Sequence, residues 1–115
     1  MHEFSIVQAL LERVDHEANV HGASRVHRVR VAIGELSGVE VELLRTAYEA
    51  IRCRTRCEKA PLDVRRIPAR WECGRCGAVI ARGGPLRCGK CNVPGRLVSG
   101  DEIVLDQIEM ETANV

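Results

Sequence analysis

Apolar positions near the start of the chain fall at three- and four-residue steps: Phe4, Val7, Leu10, Leu11, Val14 and Ala18. That period is the stripe of an amphipathic helix. Ser5 with Gln8 reads as a capping box that opens the helix and Gly22 as its stop, so residues 1–3 are expected to project just ahead of its N-terminus. From Arg25 to Ile33 the period changes to two. Val29, Val31 and Ile33 then share one face and Arg28, Arg30 and Ala32 the other, which predicts a half-buried strand. Gly34 breaks it. Ser37 and Glu40 offer a second capping box before Val39, Leu43, Ala47, Tyr48 and Ile51, the stripe of a second helix reaching to about Arg54. Leu62, Val64 and Ile67 predict a second strand before Pro68. Ile103 to Met110 predicts a third, whose alternation slips once, as at a bulge.

These elements predict an α+β fold in which two helices pack on a three-stranded sheet. Residues 1–70, completed by the last strand in 98–115, would form that domain. Residues 71–97 would be a smaller unit inserted between strands two and three. The chain has 115 residues, enough for one small core plus such an appendage. Aromatic residues make up only 3%, so the core has to be built from Val, Leu, Ile and Ala. The inserted segment holds few large apolar residues and would need a metal ion to supply its folding free energy.

Two CxxC pairs, Cys73/Cys76 and Cys88/Cys91, supply the ligands. Thiolates two residues apart at a turn fit adjacent corners of a metal tetrahedron. Each pair sits in a glycine-containing knuckle, Cys73-Gly74-Arg75-Cys76-Gly77 and Cys88-Gly89-Lys90-Cys91. The eleven residues between the pairs include Gly83-Gly84-Pro85, so the segment can loop back and close both knuckles on one ion. A tetrathiolate accepts zinc or rubredoxin-like iron, and zinc is the usual occupant of structural sites. Two disulfides are the alternative, and they need an oxidising compartment. The first residues lack a basic region followed by an apolar stretch, so a reducing cytoplasm is expected.

Net charge is +1, which provides no overall field for nucleic acid or an anionic membrane, and no apolar run approaches a membrane span. No Ser/His/Asp or paired-carboxylate arrangement stands out, and four sulfurs would saturate a metal, so an enzyme is not expected. A zinc-ribbon module that contacts nucleic acid or a protein partner is the alternative class, with Arg75, Arg82, Arg87, Lys90 and Arg96 as its local positive charge.

The terminus carries a second candidate site. A free α-amine, a deprotonated amide and a histidine at residue 2 can close fused chelate rings around Ni(II) or Cu(II) in nearly planar geometry. Met1 would offer the amine, His2 the imidazole and Glu3 an amide or carboxylate; a plain solvated terminus is the other reading. Met1-His2-Glu3 ahead of a helix, Ile33-Gly34-Glu35-Leu36-Ser37, the two CxxC pairs and Ser99-Gly100-Asp101-Glu102 before a last strand follow one another in this order. That succession resembles the HypA/HybF family of hydrogenase-maturation nickel metallochaperones over essentially the whole chain.

The resemblance implies a nickel site at Met1, His2 and Glu3 and a separate zinc site at Cys73, Cys76, Cys88 and Cys91. It also implies delivery of nickel to the [NiFe]-hydrogenase large subunit with a maturation GTPase. A monomer or weak homodimer is expected. Two features depart from the family. All four histidines (His2, His16, His21, His27) precede residue 30, so none lies beside the zinc cysteines. Cys53 and Cys57 fall outside the pattern; one turn apart at the expected end of helix two, they are a thiolate or redox pair or simply packing residues.

Overall fold

The computed structural model describes residues 2–112. Helix α1 spans His2–Val20 and therefore starts three residues before Ser5, so the expected capping box does not open it. The first four N–H groups of any helix lack intrahelical acceptors, and a helix can begin at the second residue without losing a bond. Gly22, at φ +66°, does stop it. Val7, Val14 and Ala18 are buried, while Phe4, assigned above to the apolar stripe, is 41% exposed. At 3.6 residues per turn position 3 continues the Val7–Val14 line better than position 4. Glu3 is accordingly the half-buried residue of this turn.

Strand β1 (Ala23–Gly34) is the centre of the larger sheet. Helix α2 (Val41–Ile51) follows, and then β2 (Leu62–Ile67), which pairs parallel to β1. Parallel neighbours need a crossover connection, and α2 supplies it. The last strand, β6 (Ile103–Thr112), lies antiparallel on the other side of β1, giving the order β2-β1-β6. Arg30 stands opposite Gln107 and Val31 opposite Leu105, so Asp106 is the extra residue behind the slip in alternation. A second irregularity between Val26 and Arg28 lets Val26 and Val29, an odd number of residues apart, both face the core. Ala32, assigned above to the solvent face, is fully buried; its cross-strand neighbours Arg65 and Val104 cover a methyl group.

The second helix also starts later than its sequence pattern implied. Ser37 Oγ accepts the Val39 N–H at 3.3 Å, Glu40 is the N-cap, and the Ser37/Glu40 capping box is not formed. With the helix in this phase Leu44, Ala47 and Tyr48 are buried and Leu43 is 56% exposed. It ends at Ile51, and Arg54 adopts φ +65° in the turn beyond. Cys53 and Cys57 thus do not share a helix face. Cys53 is exposed, whereas Cys57 joins the core with Tyr48 and Ala60, and burial pushes its thiol pKa up. Cys57 is a packing residue. The two helices bury their stripes against Val26, Val29, Val31 and Ile33 on one face of the sheet. The opposite face is a lattice of ion pairs that includes Arg28–Asp63 at 2.7 Å, Arg30–Glu109 at 3.3 Å and Arg65–Asp106 at 3.2 Å.

Between β2 and β6 the chain forms a second, smaller sheet of β3 (Arg70–Cys73), β4 (Val79–Ile80) and β5 (Gly95–Ser99), ordered β4-β3-β5. Its strands are short and its buried apolar side chains few, chiefly Ile80, Cys73 and Cys88. The chain leaves and re-enters the larger sheet through a narrow crossing. A Cβ on Gly34 would lie 2.3 Å from the Gly100 carbonyl oxygen, and one on Gly100, at φ +109°, would lie 2.5 Å from Ala69 Cα. Gly34 donates to Glu102 O at 2.8 Å and Leu36 to Gly100 O at 2.6 Å. Gly100→Ala introduces both a backbone clash and an unfavourable φ. It should cost more than about 2 kcal/mol in urea unfolding of the metal-loaded protein, whereas Gly74→Ala, in open space, should cost under about 1 kcal/mol.

Candidate metal centres

The two knuckles are near copies of each other. Cys73 N–H donates to Ala78 O at 2.9 Å and Gly77 N–H to Cys73 O at 2.9 Å; Cys88 N–H donates to Val93 O at 3.0 Å and Asn92 N–H to Cys88 O at 2.9 Å. The fourth residue after each first cysteine must turn left-handed. Gly77 does so at φ +77°, and Asn92, one of the side chains that tolerate this region, at φ +53°. These turns aim amides at sulfur. Cys73 Sγ accepts from Arg75 N at 3.3 Å and Cys76 N at 3.4 Å, and Cys88 Sγ accepts from Cys91 N at 3.4 Å.

All four sulfurs lie within 4.8 Å of one another, and Cys76 and Cys88 are 3.7 Å apart. A tetrahedron with metal–sulfur bonds of about 2.3 Å has edges of about 3.8 Å, so the donor set fits one ion. Its electrostatics demand one. The backbone amides of Cys76 and Arg75 hold the Cys73 thiol down at about 6, and those of Cys91 and Lys90 lower Cys88. Desolvation and the neighbouring sulfurs push Cys91 up to about 12. Four thiolates at these distances cannot all ionise near neutrality unless a cation sits among them. Among the described residues this is the one group of His, Cys, Asp or Glu side chains close enough to hold a metal.

The N-terminal candidates are arranged differently. Met1 lies outside the described residues. His2 and Glu3 do not project ahead of the helix; they form its first turn. His2 is exposed, and the Glu3 carboxylate accepts the Glu40 N–H at 3.0 Å. That bond and the contribution of its own amide hold the Glu3 pKa low. Glu3 thus satisfies an otherwise orphan donor at the start of α2 and brings Glu40 beside the terminus. Nothing in the spacing of residues 3 and 40 revealed this pairing. His16, His21 and His27 are exposed and separate, and His27 Nε2 meets Glu111 at 3.0 Å.

A second contact escaped sequence reasoning. Glu35 Oε1 accepts from Ala69 N–H at 2.7 Å and from Arg82 Nη1 at 2.9 Å, and Glu35 Oε2 accepts from Arg82 Nη2 at 2.5 Å. One carboxylate therefore ties the end of β1 both to the chain entering the small sheet and to the loop between its knuckles.

A family model described as "Hydrogenase/urease nickel incorporation, metallochaperone, hypA" matches residues 1–110. The chain belongs to the HypA family. Hydrogenase maturation factor HypA of Nitrosospira multiformis is 40% identical over 97% of this chain and 99% of its own length. The factor of the same description from Wolinella succinogenes is 40% identical over 96% of each. The solution structure of the Ni metallochaperone HypA from Helicobacter pylori superposes with a TM-score of 0.73 at 29% identity, covering 96% of this chain and 97% of that one. A further solution structure of HypA protein gives 0.79 at 30%. The HypA membership and the α+β architecture agree with the sequence reading. No helix among the described residues is long and apolar enough to cross a membrane.

In this HypA-family chain the Arg82 guanidinium, first, and the Ala69 amide, second, depress Glu35 to about 2 from an ordinary 4.5. A depressed acid stabilises the fold above its unfolded pKa. The contribution of Glu35 should therefore be constant above about pH 5 and be lost as pH falls from about 4.5 toward 2. Carboxyl-carbon NMR titration should place the Glu35 midpoint near 2, and Arg82→Gln should return it part of the way toward 4.5.

Proposed function

We propose that this chain is a non-enzymatic cytoplasmic nickel carrier. It takes Ni(II) at Met1, His2 and Glu3 and delivers it to the [NiFe]-hydrogenase large subunit in concert with a maturation GTPase, while zinc on Cys73, Cys76, Cys88 and Cys91 is structural. The observation that carries the reading is the start of α1 at His2. The amide hydrogens of His2 and Glu3 then belong to the orphan set of a helix N-terminus, so replacing one by a metal breaks no helical hydrogen bond. The positive end of the helix dipole opposes a cation there, and the carboxylate of Glu3 and a deprotonated amide offset it. Such a site is exposed and incomplete, which suits an ion that has to be handed on. The cysteine set differs in both respects: all positions of a tetrahedron are filled by sulfur, as in structural zinc sites.

Calorimetry separates the two roles. His2→Ala should lower nickel affinity by at least about tenfold with zinc content unchanged, and a residue placed before Met1 should do the same by converting the amine to an amide. Nickel affinity of the native protein should fall with acidification, because protons compete for the amine and imidazole. Undiminished affinity in the extended protein would remove the amine from the ligand set. Cys76→Ala should abolish zinc binding and shift the fluorescence of Trp71, the single tryptophan and a residue of β3, while helical circular dichroism persists. Loss of the helical signal would contradict a structural zinc confined to the small sheet.

A further inference from the structure

Charge is distributed unevenly between the two parts of the chain. Residues 71–97 carry Arg75, Arg82, Arg87, Lys90 and Arg96 against the single acid Glu72, although the whole chain is nearly balanced, with 17 basic and 16 acidic residues. The remainder is therefore net acidic. A filled tetrathiolate zinc site contributes two negative charges, which still leaves the small sheet net positive. On the larger sheet Arg28, Arg30 and Arg65 are paired with Asp63, Glu109 and Asp106. Among the described residues the side chains of Arg75, Lys90 and Arg96 have no such partners.

Part of this charge lines an open cleft of about 710 Å³ next to the knuckles. Arg82, Arg87 and Lys90 share its walls with Val79, Ile80 and Pro85, and Val79 is 61% exposed. Arg87 is committed to Asn92, donating to its backbone oxygen at 2.9 Å, and so holds the second knuckle. Among the described residues Lys90 has no partner, and Arg82 is held by Glu35, just past the end of β1. An apolar wall flanked by cations, one of them occupied by a carboxylate of the same chain, has the chemistry of a groove for acidic peptide.

We propose that this cleft docks an acidic segment of a partner protein, with Lys90 and Arg82 pairing its carboxylates and Val79 and Pro85 packing its apolar side chains. Glu35 occupies Arg82 until that segment arrives. Docking then exchanges an intramolecular ion pair for an intermolecular one, and the link between the end of β1 and the knuckle loop opens as the partner binds.

Fluorescence anisotropy of a labelled hexaglutamate peptide, with full-length metal-loaded protein at low salt, tests it. Binding should weaken as salt rises. Lys90→Gln and Arg82→Gln should each weaken it by about threefold or more, while Glu35→Gln, which frees Arg82, should tighten it by about threefold. Metal content and Trp71 fluorescence establish that each variant is folded. The opposite signs of the Arg82 and Glu35 variants are the signature, because damage to the fold would weaken binding in both. Unchanged or weaker peptide binding in Glu35→Gln overturns the competition. Tighter binding of a hexauridylate than of the peptide by the native protein overturns the acidic-peptide assignment in favour of nucleic acid.

Discussion

The end of β1 has to pass the chain returning from the small sheet at a separation that no Cβ could survive. Gly34 and Gly100 are both required there, and the backbone bonds of Gly34 to Glu102 and Leu36 to Gly100 fix the crossing. Much of the functional geometry follows from it. Once Gly34 is pinned, Glu35 is set against Ala69 and Arg82, and the segment after it leads directly to Glu40 at the start of α2. Glu40 in turn donates its amide to Glu3. A few residues therefore run from the knuckle loop at one end to the N-terminal turn at the other. The two candidate metal sites sit in a molecule about 57 Å long, joined by this segment and by the strands that enter and leave the small sheet.

The two halves are stabilised by different physics. Helices α1 and α2 and the larger sheet bury Val, Leu, Ala and Tyr48 in a continuous core, and hydrophobic burial is sufficient for them. The small sheet has little to bury. Its two knuckles aim amides at sulfur in readiness for a cation, and metal–thiolate bonds would supply the stabilisation that burial does not.

Much of this was legible in the sequence. Period-two and helical stripes marked both helices and the three strands of the larger sheet, and the slip in the last strand was visible in its alternation, with the strand register then identifying Asp106 as the extra residue. The convergence of Cys73, Cys76, Cys88 and Cys91 followed from spacing alone. What misled was local capping chemistry. Ser5 and Ser37 had the right neighbours for capping boxes, but α1 already starts at His2, three residues before Ser5, and Ser37 spends its hydroxyl on the Val39 amide. The misplaced starts carried Phe4 and Leu43 onto the wrong faces. The Glu3–Glu40 and Glu35–Arg82 contacts were invisible for a different reason: each joins residues more than thirty positions apart, and charge at such a distance in sequence has no period to betray it. The motifs that carried the family resemblance, Ile33-Gly34-Glu35 and Ser99-Gly100-Asp101, prove to be the two sides of one crossing.

The central claim is that nickel and zinc occupy two chemically distinct places, a nitrogen- and oxygen-rich terminus and a sulfur tetrahedron. X-ray absorption at the nickel and zinc edges of one untagged sample, loaded with a single equivalent of Ni(II), tests this most directly. The account predicts a nickel shell of nitrogen and oxygen only, in near-planar geometry, beside a zinc shell of four sulfurs at about 2.3 Å that is the same with and without nickel. Sulfur in the nickel shell, or zinc displaced from its thiolates as nickel enters, would contradict it.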